Sequence, residues 1–225
     1  MSPQLLGTDE SDDGDRYYEW QDGKKYPSVT TILKVAPRKE RVIKAFKDSH
    51  PNPIQYRDRQ GLVGSCVHHR ILNDIAIRRL DPPSIDLDNV DGQTLGDIQT
   101  AVAMWNEHVD IDPGPTPRVE EPVRNTQDGY SGRFDLLTTD GLLCDLKISK
   151  SVYPSYKMQA AAYARSINQT TKYQDVSGAA IICLRPNIED NPTLKPHIER
   201  LDPNELHGWY ERFKRVINIW NERSA

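Results

Sequence analysis

The stretch from Tyr130 to Ala164, YSGRFDLLTTDGLLCDLKISKSVYPSYKMQAAAYA, restricts the fold more than any other part of the chain. Two runs rich in apolar and β-branched residues, Tyr130 to Thr138 and Leu142 to Ser149, flank Asp140-Gly141 and read as a hairpin. Pro154 then opens an Ala-rich segment that reads as a helix to about Ile167. A two-residue turn at Asp140-Gly141 would set Asp135 opposite Leu146, whereas a three-residue turn, Thr139-Asp140-Gly141, sets it opposite Asp145. Three-residue hairpin turns need a left-handed residue at their third position, and Gly141 stands there. The turn chemistry therefore predicts the register that pairs the two acids.

Directly opposed carboxylates on a hairpin lie with Cβ atoms about 4.5–5.5 Å apart and repel unless a cation intervenes. Lys147 is two residues beyond Asp145 and shares its face, as does Arg133, while Cys144, Leu146 and Ile148 point the other way. This predicts an oxygen-ligand site for Mg²⁺ or Mn²⁺, with Lys147 placed to hold a water and to offset charge building on a phosphate.

The flanking segments are read as support for this unit. Residues 1–15 contain Asp9, Glu10, Asp12, Asp13 and Asp15 but no Lys or Arg, and are expected to form a flexible acidic tail. Ser28 is placed to cap a short helix through Thr31, Ile32, Leu33 and Val35, and Arg38 to Lys47 reads as a second, basic helix. A long helix is expected from Asp58 to Leu80, a loop from Asp81 to Gly92, and another helix from Leu95 to Val109. The run Asp112-Pro-Gly-Pro-Thr-Pro117 ends the helical pattern, and a strand from Arg118 to Arg124 precedes the hairpin. The unbroken apolar run Val176 to Leu184 predicts a strand covered on both faces. Leu194 to Leu201 reads as an edge strand interrupted by Pro196, and Asp202 as the cap of a last helix with a Leu206 to Trp220 apolar stripe.

Length and composition fit one domain over residues 16–225, large enough for a single sizeable core. The net charge is −4, and because the first fifteen residues hold five acids, the remainder is close to neutral. A neutral body leaves local basic patches free to meet phosphate. Cys66, Cys144 and Cys183 are odd in number and widely spaced, which argues against a disulfide framework or a structural zinc site. Neither a leader peptide nor an apolar run of the roughly 18 residues needed for a membrane helix is evident. The expected location is cytoplasmic, with no membrane partner.

The element order and the spacing of these residues resemble the PD-(D/E)XK nuclease superfamily, and within it the RecB-like exonucleases. The superfamily's first acid falls on Asp135 of Gly132-Arg-Phe-Asp135 and its D-x-K on Asp145-Leu-Lys147. The Q-x-x-x-Y of the RecB-like group falls on Gln159 and Tyr163, and its G-x-x-x-H on Gly64-Ser-Cys-Val-His68, with His69 the nearest rival. Tyr26-Pro-Ser-Val-Thr-Thr-Ile-Leu33 resembles the opening of viral and mitochondrial single-strand DNA exonucleases of the group, which admits a viral source.

The resemblance implies an α/β, restriction-endonuclease-like core of helix, three-stranded antiparallel meander, helix and further strand, with added N-terminal and C-terminal helices. It implies a metal held by His68, Asp135 and Asp145 with the Leu146 carbonyl beside them. Lys147 would be catalytic, and Gln159 and Tyr163 would face the DNA backbone across one groove. Glu120, in preference to Glu121, would orient a metal-bound water. The implied activity is a DNA exonuclease in replication, recombination or repair, acting on single-stranded or duplex ends, with proteins of those processes as partners. The four cysteines of the iron-sulfur branch are missing, so no such cluster is expected. Two other readings remain: a catalytically inactive end-binding scaffold, and a restriction-type endonuclease.

Overall fold

The computed structural model describes residues 4–11, 14–37, 52–76, 90–170, 175–184 and 193–224. The expected basic helix Arg38 to Lys47 and most of the expected loop Asp81 to Gly92 lie outside them. Two sheets are present. A small antiparallel one has the order β1 (Leu5–Glu10), β2 (Arg16–Trp20), β3 (Lys25–Pro27). The larger has the order β4 (Arg118–Asn125), β5 (Tyr130–Leu137), β6 (Leu142–Ile148), β7 (Gly178–Leu184), β8 (His197–Leu201). The helices are α1 (Val29–Leu33), α2 (Pro53–Ile75), α3 (Gly92–His108), α4 (Pro154–Asn168) and α5 (Pro203–Ser224). The class is α/β. Among the described residues no helix is long and apolar enough to cross a membrane.

β4, β5 and β6 form an antiparallel meander, β7 lies parallel to β6 after the α4 crossover, and β8 closes the far edge antiparallel. β7 is buried along its whole length, as its continuous apolar sequence predicts for a strand with helices on both faces. Alternation along it divides the core: Ala179, Ile181 and Cys183 pack with residues of α1, α4 and α5, whereas Ala180, Ile182 and Leu184 pack with residues of α2 and α3. Burying each of the two isoleucines contributes about 1.5–3 kcal/mol, one to each layer. The three cysteines are all buried and free.

Local chemistry explains where the helices begin. The Ser28 hydroxyl accepts from Thr31 N–H at 2.9 Å, and Asp91 accepts from Thr94 N–H at 2.9 Å. Asp202 and Glu205 form a reciprocal capping box at the start of α5, at 2.8 and 3.0 Å. α4 begins at Pro154 and presents Ala160, Ala161, Ala162 and Ala164 to the interior, so small side chains let the helix lie close to the sheet.

The N-terminal residues differ from the expected flexible tail. Leu5–Glu10 is a strand paired with β2, with Lys25 3.5 Å from Asp9 and Arg16 4.0 Å from Glu10. The cross-strand cations supply what the acidic sequence alone lacks, and the exposed strand shows none of the apolar alternation that would reveal it. The small sheet is tied to the larger one through Ser131: its hydroxyl accepts from Trp20 Nε1 at 3.2 Å and donates to the Val123 carbonyl at 2.7 Å.

A second polar knot joins the β4–β5 turn to α5. Asn125 is fully buried; its amide nitrogen lies 3.1 Å from the Tyr130 hydroxyl, 3.0 Å from the Tyr210 hydroxyl and 3.1 Å from Asp128. Its amide oxygen accepts from the N–H groups of Gln127 and Asp128 at 3.0 and 2.8 Å. Removing it strands several buried polar groups at once. Asn125→Ala is expected to lower the unfolding free energy by about 2–3 kcal/mol, measured by urea denaturation with an unchanged m-value.

Candidate metal and phosphoryl-transfer site

The hairpin adopts the three-residue turn. Thr138 N–H donates to the Leu142 carbonyl at 3.0 Å, Gly141 N–H donates to the Thr138 carbonyl at 3.1 Å, and Gly141 has φ of 90°. The resulting pairs are Leu137 with Leu143 and Leu136 with Cys144, the register expected of that turn. Carried one step further it would set Asp135 against Asp145, but the ladder ends before that step.

Beyond Leu136 the backbone pairing between the two strands stops, and a side chain takes over. Asp135 Oδ2 accepts the Leu146 N–H at 2.7 Å. On the other side of the same peptide residue, the Leu146 carbonyl lies 2.8 Å from His68 Nε2, which reaches it from α2. A carbonyl can only accept, so Nε2 carries the proton, which leaves Nδ1, 3.7 Å from Asp135 Oδ2, as the ring atom that faces the acids.

Glu120 completes this corner. The register on either side of it is continuous, Val119 with Leu136 and Glu121 with Phe134, so Glu120 lies opposite Asp135 without joining the ladder. Its φ is 51°, in the left-handed region that a residue with a Cβ enters at a cost. The pleat changes face here. Val119 and Leu136 pack with the α2 and α3 layer, whereas Val123 and Phe134, which regular alternation would put on that same face, pack with the α4 and α5 layer. The kink turns Glu120 toward His68 and Asp135, and one ligand atom from each of the three falls within 4.8 Å of the others.

Burial, then the Asp135 carboxylate, push the Glu120 carboxyl up to about 7, against the lowering influence of His68, Arg133 and Lys147. Glu121 turns to Arg118 at 3.4 Å, and His69, with a buried unpaired Nε2, is not in the trio.

Asp145 and Lys147 sit beside the trio. Asp145 is 2% exposed, and the Lys147 ammonium lies 2.9 and 2.8 Å from its two oxygens, although Oδ2 lacks a well-aligned hydrogen bond. Burial raises the Asp145 carboxyl above the usual carboxylate range, and Lys147 opposes that shift. Burial would lower the Lys147 amine, but Asp145 and Asp135 together outweigh it and raise it, so the group is an ammonium ion and a donor. The Tyr156 ring lies 5.3 Å from its Nζ.

The close trio therefore differs by one member from the expected His68, Asp135 and Asp145. Lys147 shares the face of Asp145 and occupies its carboxylate, while the Glu120 kink brings in a third acid. The Leu146 carbonyl, expected beside a metal, is engaged by His68.

Gln159 and Tyr163 also differ from expectation. They are 8% and 4% exposed, and the Gln159 amide donates to the Tyr163 hydroxyl at 3.2 Å, so neither lines an open groove. A Cβ on Gly132 would stand 2.4 Å from Tyr163 Cε1, which shows how closely the ring is pressed on β5 next to Asp135.

Sequence reasoning gave no role to Tyr18. Buried on the small sheet, its hydroxyl is raised first by burial, with Arg16 and Arg133 lowering it and Glu120 raising it. The Tyr17-Tyr18 and Trp20 cluster was the visible signal.

The acids stand close enough to oppose one another's ionisation, and the donor set is a histidine nitrogen with two carboxylate oxygens. Such a set could hold a divalent cation. No model of a known protein family matches the chain, and no curated protein matches it.

Because Tyr163 fills the space a Gly132 Cβ would need, Gly132→Ala is expected to cost about 1–3 kcal/mol. Adding Tyr163→Ala should cost less in that background than alone, measured as a double-mutant cycle in denaturant.

Proposed function

We propose that this chain is a Mg²⁺- or Mn²⁺-dependent deoxyribonuclease of the PD-(D/E)XK, RecB-like kind, an exonuclease that hydrolyses phosphodiester bonds at single-stranded or duplex DNA ends. One observation carries the reading: His68, Glu120 and Asp135, from three different elements, bring ligand atoms within 4.8 Å of one another beside the Asp145–Lys147 pair. The order of helix, antiparallel meander, helix and parallel strand supports the restriction-endonuclease-like core.

His68, Glu120 and Asp135 would hold the cation, with Asp145 next to it and available when Lys147 turns to substrate. A bound Mg²⁺ or Mn²⁺ polarises a phosphoryl oxygen and makes water more acidic. Lys147, as an ammonium, donates to negative charge building on the phosphate and cannot itself take a proton. Asp135 and His68 fix the Leu146 peptide between them, which holds the β6 side chains Asp145 and Lys147 in place. Tyr163 and Gln159 support this corner from below rather than touching DNA.

Incubating the protein with 5′-labelled or 3′-labelled single-stranded, duplex and circular DNA should give degradation of linear strands in Mg²⁺ or Mn²⁺ and none in chelator. Cutting that survives chelation overturns the reading, and cutting of closed circles turns it to an endonuclease. Lys147→Ala is expected to lose about 10²-fold to 10³-fold in rate with the circular dichroism spectrum retained; full activity would sink the role of Lys147.

Metal binding supplies a separate check. Glu120→Gln and Asp135→Asn should each weaken Mn²⁺ binding in calorimetric titration, whereas Glu121→Gln, whose residue faces Arg118, should not.

A further inference from the structure

Three large hydrophobic side chains stand exposed among the described residues: Leu6, Leu95 and Tyr153. A single exposed apolar residue is commonplace and means little by itself. Tyr153 differs from the other two in its position. Pro154 follows it, which holds Tyr153 in extended backbone at φ −96° and ψ 154° at the mouth of α4. Although it occupies the N-cap position, its side chain makes no capping hydrogen bond, so neither helix start nor core uses the ring. The residue is 46% exposed.

One side of the residue is held. Tyr153 meets Tyr156 edge to face, with centroids 5.4 Å apart and planes at 77°, and the Tyr156 ring in turn lies 5.3 Å from Lys147 Nζ. Two ring-sized steps therefore connect a solvent-facing aromatic to the ammonium that would meet the scissile phosphate. A phosphate held at Lys147 brings its neighbouring bases to this distance. In a duplex those bases are stacked on one another and paired, whereas in a single strand they are free to leave the stack and lie on an aromatic face.

We propose that Tyr153 is a base-stacking platform that receives a nucleobase adjoining the scissile phosphate and so sets the preference for single-stranded ends. The proposal rests on the nuclease reading and names the feature that would give it strand preference. Tyr156 is the strut that orients the platform. The two rings stand at 77° to each other and Tyr153 keeps 46% of its surface exposed; an aromatic face accepts every base without reading its hydrogen-bonding edge. The predicted contact is therefore tolerant of sequence and intolerant of base loss.

The test is binding in chelator, where cleavage is suppressed, of a fluorescent single-stranded oligonucleotide, a series carrying one abasic site at each successive position, and a blunt duplex. The proteins are wild type, Tyr153→Ala and Tyr153→Phe. Tyr153→Ala should weaken single-strand binding about tenfold, leave the blunt duplex unchanged, and cost nothing further on the one oligonucleotide whose abasic site falls at the platform. Tyr153→Phe should bind like wild type, because stacking does not use the hydroxyl. A 2-aminopurine at that position should be quenched by wild type and not by Tyr153→Ala.

Equal binding of the single strand by Tyr153→Ala and wild type overturns the platform. So does an equal loss on all substrates, which would mark a structural role, or a loss in Tyr153→Phe, which would mark a hydroxyl contact. A wild-type chain that cuts DNA with metal while the platform test fails leaves the nuclease reading standing. One that neither binds nor cuts any of these substrates removes that reading itself.

Discussion

The peptide of Leu146 is the point on which the site depends. In a continuous hairpin the β6 backbone at that position would be occupied by β5 backbone. Here the pairing ends at Leu136 with Cys144, and the N–H is taken by Asp135 while the carbonyl is taken by His68. One residue is thus clamped from both sides by two side chains from distant parts of the chain. Because the clamp fixes β6 between Asp145 and Lys147, it also fixes the ion pair that flanks it. Charge-assisted bonds to backbone are among the stronger contacts a protein makes, so a short gap in the ladder becomes a rigid seat rather than a frayed end.

Around that seat the costs are unevenly shared. Glu120 takes a left-handed backbone, Asp145 is buried with one oxygen lacking an aligned donor, and Glu120 and Asp135 face each other as acids. The surroundings hold these costs in place. Tyr163 presses on Gly132 three residues before Asp135, and Ser131 ties the same strand to Trp20 of the small sheet and to Val123 of β4. The N-terminal sheet, far from being an appendage, braces β5 at the residues just before the first acid.

Much of this was legible from residue order. The register of the hairpin followed from the position of one glycine, since Gly141 can stand third in a three-residue turn and the pairing then has no freedom left. The helix starts followed from Ser28 and Asp202, and the doubly covered strand from an apolar run without alternation. Three things were not legible, each for a physical reason. β1 is stabilised by cross-strand ion pairs, not by an apolar face, so its sequence resembles that of a solvated tail. Gln159 and Tyr163 satisfy each other's polar groups, which lets a helix face that reads as half polar be buried. Glu120 was expected at the site, but the strained backbone that brings it into the close trio was not, because any argument from strand alternation assumes a regular pleat.

The strain and the charge burden coincide in space, and that coincidence separates a functional reading from a stabilising one. A buried ion pair such as Asp145 with Lys147 contributes little net stability, because desolvating both groups offsets their attraction, and an apolar pair of similar volume would serve the sheet as well. A left-handed glutamate costs about 1–3 kcal/mol that a glycine at the same place would save. If these residues were present for the fold, the costs would be scattered and each would be matched by a local gain. Instead Glu120, Asp135 and Asp145 gather at one end of two strands, although Leu194 is left-handed elsewhere, while the caps at Ser28, Asp91 and Asp202, the Asn125 knot and the β7 core are satisfied. Natural sequences keep such departures from local consistency where binding or chemistry requires them. A cation among His68, Glu120 and Asp135 would relieve the repulsion that remains when the rest of the molecule has settled.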